Sequence, residues 1–150
     1  MKTRPQSRRW HIASLLSVVA LFGITTVSPV DAQPREIKGR VQVVDGDTLW
    51  LGRIKVRLNG IDAPERGQPR FAAATRALRD VTRGQVVTRR LNGEKSYDRY
   101  IGSCFVGSVD VAAFVIASGN ALDCARYSGG RYRSLETQEA RRYITQAPYC

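Results

Sequence analysis

The stretch from Val44 to Glu65, VDGDTLWLGRIKVRLNGIDAPE, constrains the fold of this chain more than any other. Among its acidic residues are Asp47, Asp62 and Glu65, and Arg57 lies on the alternating run between Asp47 and Asp62. If that run folds back on itself, the carboxylates and the guanidinium share one pocket. Oxygen ligands suit a hard cation such as calcium, and a planar forked cation suits a phosphate. The stretch therefore indicates part of a site for phosphodiester chemistry, built on a β-scaffold.

The first 32 residues have the pattern of a secretory signal peptide. A basic head precedes a mostly apolar run over 12–30, and a small residue stands at the expected cleavage point before Gln33. The alternative is a permanent membrane anchor, because the run approaches spanning length; the polar Ser and Thr within it favour cleavage. Ser7-Arg8-Arg9 hints at a twin-arginine signal, with the ordinary Sec route at least as compatible. We expect residues 33–150 to form one exported domain, periplasmic or secreted, without stable membrane association after cleavage.

The charge of the chain also limits its partners. The net charge is +11, and residues 1–32 contribute three of those charges. Most of the excess of cations therefore belongs to the predicted domain. A basic surface suits nucleic acid or an anionic membrane surface, although charge alone equally allows a merely solubilising surface.

Histidine and cysteine usage excludes several kinds of site. The sole histidine, His11, lies in the predicted signal peptide, so histidine bases, Ser-His-Asp triads and histidine metal sites are excluded from the mature domain. The three cysteines form no CxxC pair, which argues against zinc, and export favours a disulfide. Cys104 lies in an apolar, strand-like segment, where a free buried thiol is expected. We predict a bond between Cys124, in a loop, and Cys150.

Local patterns predict short strands and few helices. They indicate a hairpin turning at Asp45–Asp47, a half-buried strand over 54–58, a helix with Phe71, Ala74, Leu78 and Val81 on one face, strands over 85–91 and 101–106, an apolar helix over 110–118, and a last helix capped by Ser134. The predicted fold class is α+β, mainly β. Five short strands with a helix between the third and the fourth match a five-stranded oligonucleotide-binding (OB-fold) barrel, here with about three helices.

At this point the chain resembles the staphylococcal-nuclease-like, or thermonuclease, family. The matching residues are Val44-Asp45-Gly46-Asp47-Thr48, Val56-Arg57-Leu58 and Ile61-Asp62-Ala63-Pro64-Glu65, and the similarity extends over nearly all of 36–145. Either half of the motif alone is weak, but the two at this separation are specific. The resemblance implies a calcium-dependent endonuclease that acts on DNA and RNA, and we expect a monomer.

The resemblance also assigns roles to individual residues. Asp47 and Asp62 look like the carboxylate ligands of calcium, and Ala63 looks like its backbone-carbonyl ligand. Arg57 looks like the first catalytic arginine, which binds the scissile phosphate, and Glu65 looks like the carboxylate that orients or deprotonates the attacking water. Elementary chemistry agrees, because cations stabilise the negative charge that develops on the phosphate and a carboxylate can accept a proton from water.

The position of a second catalytic arginine stays open between two alignments. The family pattern is Asp-[Lys/Arg]-Tyr-Gly-Arg, and this chain has Asp98-Arg99-Tyr100-Ile101-Gly102. A direct alignment on Asp98 puts Gly102 in the arginine place, which removes the function. A shorter preceding loop aligns Tyr97-Asp98-Arg99 instead, and we favour Arg99 because strand register is strongly specified. That alignment sets the anion of Asp98 where glycine is usual.

Two further expectations follow from the resemblance. Tyr127 resembles a tyrosine that lines the nucleotide pocket, although a surface aromatic packed on the barrel explains it equally well. The altered arginine segment also leaves an alternative function open. In that reading the domain is a non-catalytic OB-fold module with a degraded active site, which binds nucleic acid or another polyanion without cutting it.

Overall fold

The computed structural model describes residues 36–150, so the predicted signal peptide and its cleavage point lie outside the described residues. These residues form a mixed α+β fold made mainly of strands. The strands are β1 (Glu36–Gly39), β2 (Val41–Val43), β3 (Thr48–Leu51), β4 (Ile54–Leu58), β5 (Ile61–Asp62), β6 (Val87–Ser96), β7 (Arg99–Val106), β8 (Val109–Asp110) and β9 (Leu122–Asp123). The helices are α1 (Phe71–Thr82), α2 (Val111–Ala117), α3 (Ala125–Ser128) and α4 (Gln138–Tyr143), with a 3₁₀ turn at Arg133–Leu135.

Seven of the strands form one sheet. Six of them follow the order β1-β6-β7-β4-β3-β2, and β8 pairs with β7. The pairing of β4 with β7 is parallel and the other pairings are antiparallel. As paired, this path is open, so the predicted closed barrel of five strands is not confirmed. Its two ends are nevertheless consecutive in sequence, because only Arg40 separates β1 from β2.

The core lies between the sheet and helices α1 and α2. The apolar residues Leu49 and Leu51 of β3 and Val56 and Leu58 of β4 follow the period of two of a strand. They are buried, and they belong to one core cluster with apolar side chains of both helices. The fully buried members include Leu49, Val56, Leu78, Val115 and Ile116. Burial of apolar area on this scale is the main stabilising contribution to such a domain.

The ends of α2 follow from its sequence. The Asp110 carboxylate accepts hydrogen bonds from the backbone N–H groups of Ala112 and Ala113, which caps the helix. Gly119, just past the end, adopts the left-handed conformation that glycine allows. The apolar helix predicted over 110–118 is thereby confirmed.

Two sequence predictions about element boundaries were wrong. Ser134 does not cap the last helix but lies in the 3₁₀ turn, and Glu136 after it is extended. The side chain of Thr137 caps α4 instead, accepting a hydrogen bond from the N–H of Ala140. Strand β6 runs well beyond the predicted 85–91, because its pairing with β7 resumes after a bulge. None of the helices within residues 36–150 is long and apolar enough to cross a membrane.

Candidate active site

The turn before β3 delivers Asp47 into the protein. A Cβ atom at Gly46 would come within 2.6 Å of the Cβ of Ala74 and within 2.7 Å of the Cβ of Ala63, so only glycine lets the turn approach this closely. Asp47 is only 3% exposed. Its Oδ1 accepts a hydrogen bond from the Thr48 hydroxyl at 2.8 Å, and its backbone carbonyl accepts one from the N–H of Leu58. The turn therefore fixes this carboxylate against β4.

Arg57 lies opposite Thr48 in the β3–β4 pairing and points at two carboxylates. Its Nη1 is 2.8 Å from Asp47 Oδ2, and its Nη2 is 3.9 Å from Asp62 Oδ1. Burial acts to lower the pKa of Arg57, but the charges of the neighbouring acidic groups outweigh it and raise that pKa. Burial also raises the pKa of the Asp47 carboxyl to about 7, and Arg57 offsets this only in part. One guanidinium is thus shared between two buried acids.

Asp62 and Ala63 complete the buried side of the site. Asp62 ends the two-residue strand β5, which pairs with β9, and its Oδ2 accepts a hydrogen bond from the N–H of Ala147 at 2.8 Å. Ala63 is buried beside the Asp47 turn, since its Cβ is one of the atoms that exclude a side chain at Gly46. In the described part of the chain, no group of three or more acidic, histidine or cysteine side chains could hold a metal. Within this cluster, Asp47 and Asp62 supply two buried carboxylates.

Beside this buried cluster lies a pocket of about 530 Å³. The three residues that the sequence analysis proposed as catalytic all line this pocket: Arg57, Glu65 and Arg99. Glu65 is exposed in the loop after β5, and its backbone N–H donates to the Gln68 side chain at 2.8 Å. Tyr127, the predicted nucleotide-pocket tyrosine, also lines the pocket. The fold thus brings residues from four separate segments to one cavity.

Arg99, at the start of β7, lies in the same pocket. Its Nη1 donates to Thr48 Oγ1 at 3.3 Å and its Nη2 donates to Ser96 Oγ at 3.3 Å. Gly102, the alternative, does not line the pocket, and a Cβ atom there would lie 2.8 Å from the backbone oxygen of Arg90. A long side chain at position 102 would therefore meet strand β6 rather than the pocket.

Asp98, which precedes Arg99 in the sequence, is paired with a different cation. Its carboxylate binds Lys55 Nζ at 3.1 Å, and this hydrogen bond lowers the pKa of Asp98. The left-handed residue of the β6–β7 turn is Tyr97, with a φ of 57°, so the turn does not require glycine at position 98. Lys55 and Asp98 do not line the pocket, although the charge of Arg99 also contributes to the lowered pKa of Asp98.

Among the pocket residues that sequence reasoning did not predict is Tyr149. It belongs to a segment that we call the strap (residues 146–150), which follows α4. Tyr149 lines the pocket beside Tyr127, with the ring centroids 6.5 Å apart. Its neighbour Cys150 is joined to Cys124 by a disulfide, the pair named from the sequence, while Cys104 is free and buried. The predicted disulfide could have indicated this residue from the sequence, because a bond between Cys124 and Cys150 brings Tyr149 near Tyr127.

Comparison with known proteins identifies the family. The family model described as "Staphylococcal nuclease homologue" matches residues 55–146. The chain belongs to the staphylococcal nuclease homologue family. The resemblance noted from the sequence is thereby confirmed. The matched range contains Arg57, Asp62, Glu65 and Arg99, whereas Asp47 lies just before it.

Individual relatives of this staphylococcal nuclease homologue carry different names. It is similar to succinoglycan biosynthesis protein ExoI of Rhizobium meliloti (strain 1021), with 30% identity over 147 residues, covering 88% of this chain and 75% of that protein. It is also similar to a protein of Escherichia coli O157:H7 named "Uncharacterized endonuclease", with 29% identity over 112 residues, covering 71% of this chain and 73% of that protein. The family and the second name together support a nuclease-like protein.

Proposed function

We propose that this protein is an exported, calcium-dependent nuclease that hydrolyses the phosphodiester bonds of DNA and RNA. The observation that carries this proposal is the convergence of Arg57, Glu65 and Arg99 on one pocket, directly beside the buried carboxylates of Asp47 and Asp62. Two cations, a solvent-accessible carboxylate and oxygen ligands are the groups that hydrolysis of a phosphodiester needs.

In the proposed reaction the substrate phosphate lies between the two guanidiniums. Arg57 and Arg99 bind its non-bridging oxygens and stabilise the negative charge that develops on them. The exposed Glu65 carboxylate orients a water molecule and accepts its proton as the water attacks phosphorus. Attack breaks the bond between phosphorus and the leaving ester oxygen, which takes up a proton from solvent water. Thr48 and Asp47 position Arg99 and Arg57 respectively.

The residues present fit a calcium ion. Asp47, Asp62 and the Ala63 carbonyl offer only oxygen ligands, as calcium prefers, and waters would supply the rest. Asp47 Oδ2 is buried and accepts no hydrogen bond among the described residues. Its 2.8 Å contact with Arg57 Nη1 is an ion pair that does not have hydrogen-bond geometry. Three carboxylate side chains face two guanidiniums here, so the two arginines alone do not outnumber the acids around them. A bound calcium ion would reverse that balance and polarise the phosphate.

The competing function is a binding module that grips nucleic acid or another polyanion without cutting it. The reason to consider it is the altered arginine segment, which departs from the family pattern. The side chain of Arg99 enters the pocket that contains Arg57 and Glu65, which supports the nuclease over the binding module.

Two further features belong to the same proposal. We infer that β1 and β2 act as one strand bent at Arg40; because β1 pairs with β6 and β2 with β3, that strand would close a five-stranded barrel. Export is supported by the signal pattern of residues 1–32 and by the disulfide, since oxidising compartments favour such bonds. The exported protein would act as a monomer, without a stable membrane attachment.

The test is hydrolysis of plasmid DNA, single-stranded DNA and RNA by the purified protein, with calcium or with excess chelator. We expect cleavage of all three with calcium and loss of cleavage with chelator. Equal cleavage in chelator would remove the metal role of Asp47 and Asp62. Binding without any cleavage in calcium would favour the binding module.

A further inference from the structure

The strap is held against the pocket at three points. The Gln146 side-chain amide donates to the backbone oxygen of Asp123 at 2.8 Å, and the N–H of Ala147 donates to Asp62 Oδ2 at 2.8 Å. The third point is the disulfide from Cys150 to Cys124. Tyr149 lies between the second and third points. Its position is therefore determined by the strap rather than by packing in the core.

Tyr149 and Tyr127 make an open aromatic surface. Their rings meet edge to face, with an angle of 65° between the planes, and the two residues are 46% and 50% exposed. Tyr149 and Arg57 line the same pocket, and burial raises the pKa of Tyr149 while the charge of Arg57 lowers it in part. Two half-exposed rings thus stand beside the guanidinium that would hold the phosphate.

We propose that Tyr149, positioned by the Cys124–Cys150 disulfide, is a substrate-binding residue that stacks on an unpaired nucleobase next to the phosphate at Arg57. This inference rests on the proposed function, because it takes the pocket to be a nucleic-acid site. Every base has a flat π-face, so an aromatic ring binds single strands without reading their sequence. Bases in a duplex are already stacked on each other. Tyr149 therefore favours single-stranded over duplex substrates.

The first test measures binding rather than cleavage. Fluorescein-labelled oligothymidylate is titrated with the purified protein in excess chelator, and gels verify that the oligonucleotide stays intact. Because one base–aromatic stack is worth about 1–3 kcal/mol, Tyr149→Ala should raise the Kd between about 5-fold and 100-fold. Tyr149→Phe, which keeps the ring, should stay within about 2-fold of wild type. The matched control is Tyr143→Ala, which removes an exposed tyrosine of α4 that does not line the pocket.

A second arm changes the ligand instead of the protein. On an oligonucleotide of the same length with abasic sites, Tyr149→Ala and wild type should bind equally, because no base is present to stack. Equal losses on the normal and the abasic ligand would overturn the inference, since Tyr149 would then act on the backbone. A loss in Tyr149→Phe as large as in Tyr149→Ala would overturn it too, by assigning the effect to the hydroxyl.

A third arm tests the disulfide. Cys150→Ser should raise the Kd for oligothymidylate about as much as Tyr149→Ala, and the two changes together should add little. Wild-type affinity in Cys150→Ser would refute the positioning role. The failure of this inference can be distinguished from the failure of the proposed function. If the wild-type protein binds DNA but does not cleave it with calcium, only the nuclease function is refuted. If the wild-type protein cleaves and its Kd equals that of Tyr149→Ala, only the role of Tyr149 is refuted.

Discussion

Replacing Arg99 with alanine should slow hydrolysis severely while leaving the fold intact. Arg99 is half-buried at the pocket, and its two hydrogen bonds, to Thr48 and Ser96, are both 3.3 Å long. Without Arg99, the Thr48 hydroxyl would keep its hydrogen bond to Asp47, and the partly exposed Ser96 could bond to water. Loss of such bonds costs about 1 kcal/mol of stability each at most in this partly exposed setting. The effect should therefore fall on turnover.

The size of that effect follows from the charges around the two guanidiniums. Arg57 is compensated by Asp47 and Asp62, whereas no carboxylate within residues 36–150 makes a salt bridge to Arg99. If roughly one unit of negative charge develops about 4 Å away, an effective dielectric constant of about 20 gives about 4 kcal/mol. Partial exposure reduces this figure. Losing one preorganised donor costs about 10²–10³ in kcat, and we expect Arg99→Ala to fall in that range.

The assay is steady-state cleavage of a single-stranded oligonucleotide in calcium, followed to saturating substrate so that kcat and KM separate. The control is Arg90→Ala, which removes an exposed arginine that binds Glu36 away from the pocket. That control should keep its kcat, and both variants should unfold near the wild-type temperature. Unchanged kcat with a raised KM in Arg99→Ala would refute the reasoning, because Arg99 would then only bind substrate.

Three other outcomes are expected. The Cys150→Ser substitution removes a disulfide whose cysteines are 26 residues apart, and in the chain-entropy model it should lower the free energy of unfolding by about 3.5 kcal/mol. Denaturant titration measures this loss. A loss below about 1 kcal/mol, or peptide mapping that finds Cys104 in the bond, would contradict the prediction. Gly46→Ala should destabilise the protein by about 1–3 kcal/mol and reduce cleavage, because the added methyl group would collide with Ala63 and Ala74. Wild-type stability in this variant would show that the turn can shift freely. Binding of single-stranded DNA should weaken linearly with salt on a logarithmic plot, since cations of the protein release counterions from the phosphates; a Kd independent of salt would argue against the basic surface.

Local patterns predicted the parts of this fold that local physics determines. The alternating residues of 54–58 form β4, and the apolar face of Phe71, Ala74, Leu78 and Val81 forms one side of α1. The end of the chain was predicted less well. Ser134 and Thr137 are both good caps by residue type. Between them lies Glu136, which is extended and whose carboxylate accepts a hydrogen bond from the N–H of Asp123. A local sequence pattern cannot predict that contact, because the two residues lie in different segments of the chain.

The same division holds for the site. Motif spacing suggested that Asp47, Arg57, Asp62 and Glu65 share a pocket. In the structure Arg57 and Glu65 line the pocket, and Asp47 and Asp62 lie in the buried cluster beside it, in contact with Arg57. Periodicity could not find Tyr149, because nothing in the strap repeats and its position comes from bonds to distant segments. The choice between Arg99 and Gly102 likewise needed the register of β7 against β4 and β6.

The most direct test of the central claim compares wild type with Glu65→Gln, purified side by side. Glutamine keeps the size of the side chain but cannot take a proton from water. Each preparation is incubated with labelled single-stranded DNA in calcium, and its Kd for the same DNA is measured in chelator. The account predicts cleavage by wild type, near-complete loss of cleavage in Glu65→Gln, and equal Kd values. Wild-type turnover in Glu65→Gln would remove Glu65 from the mechanism and contradict the account.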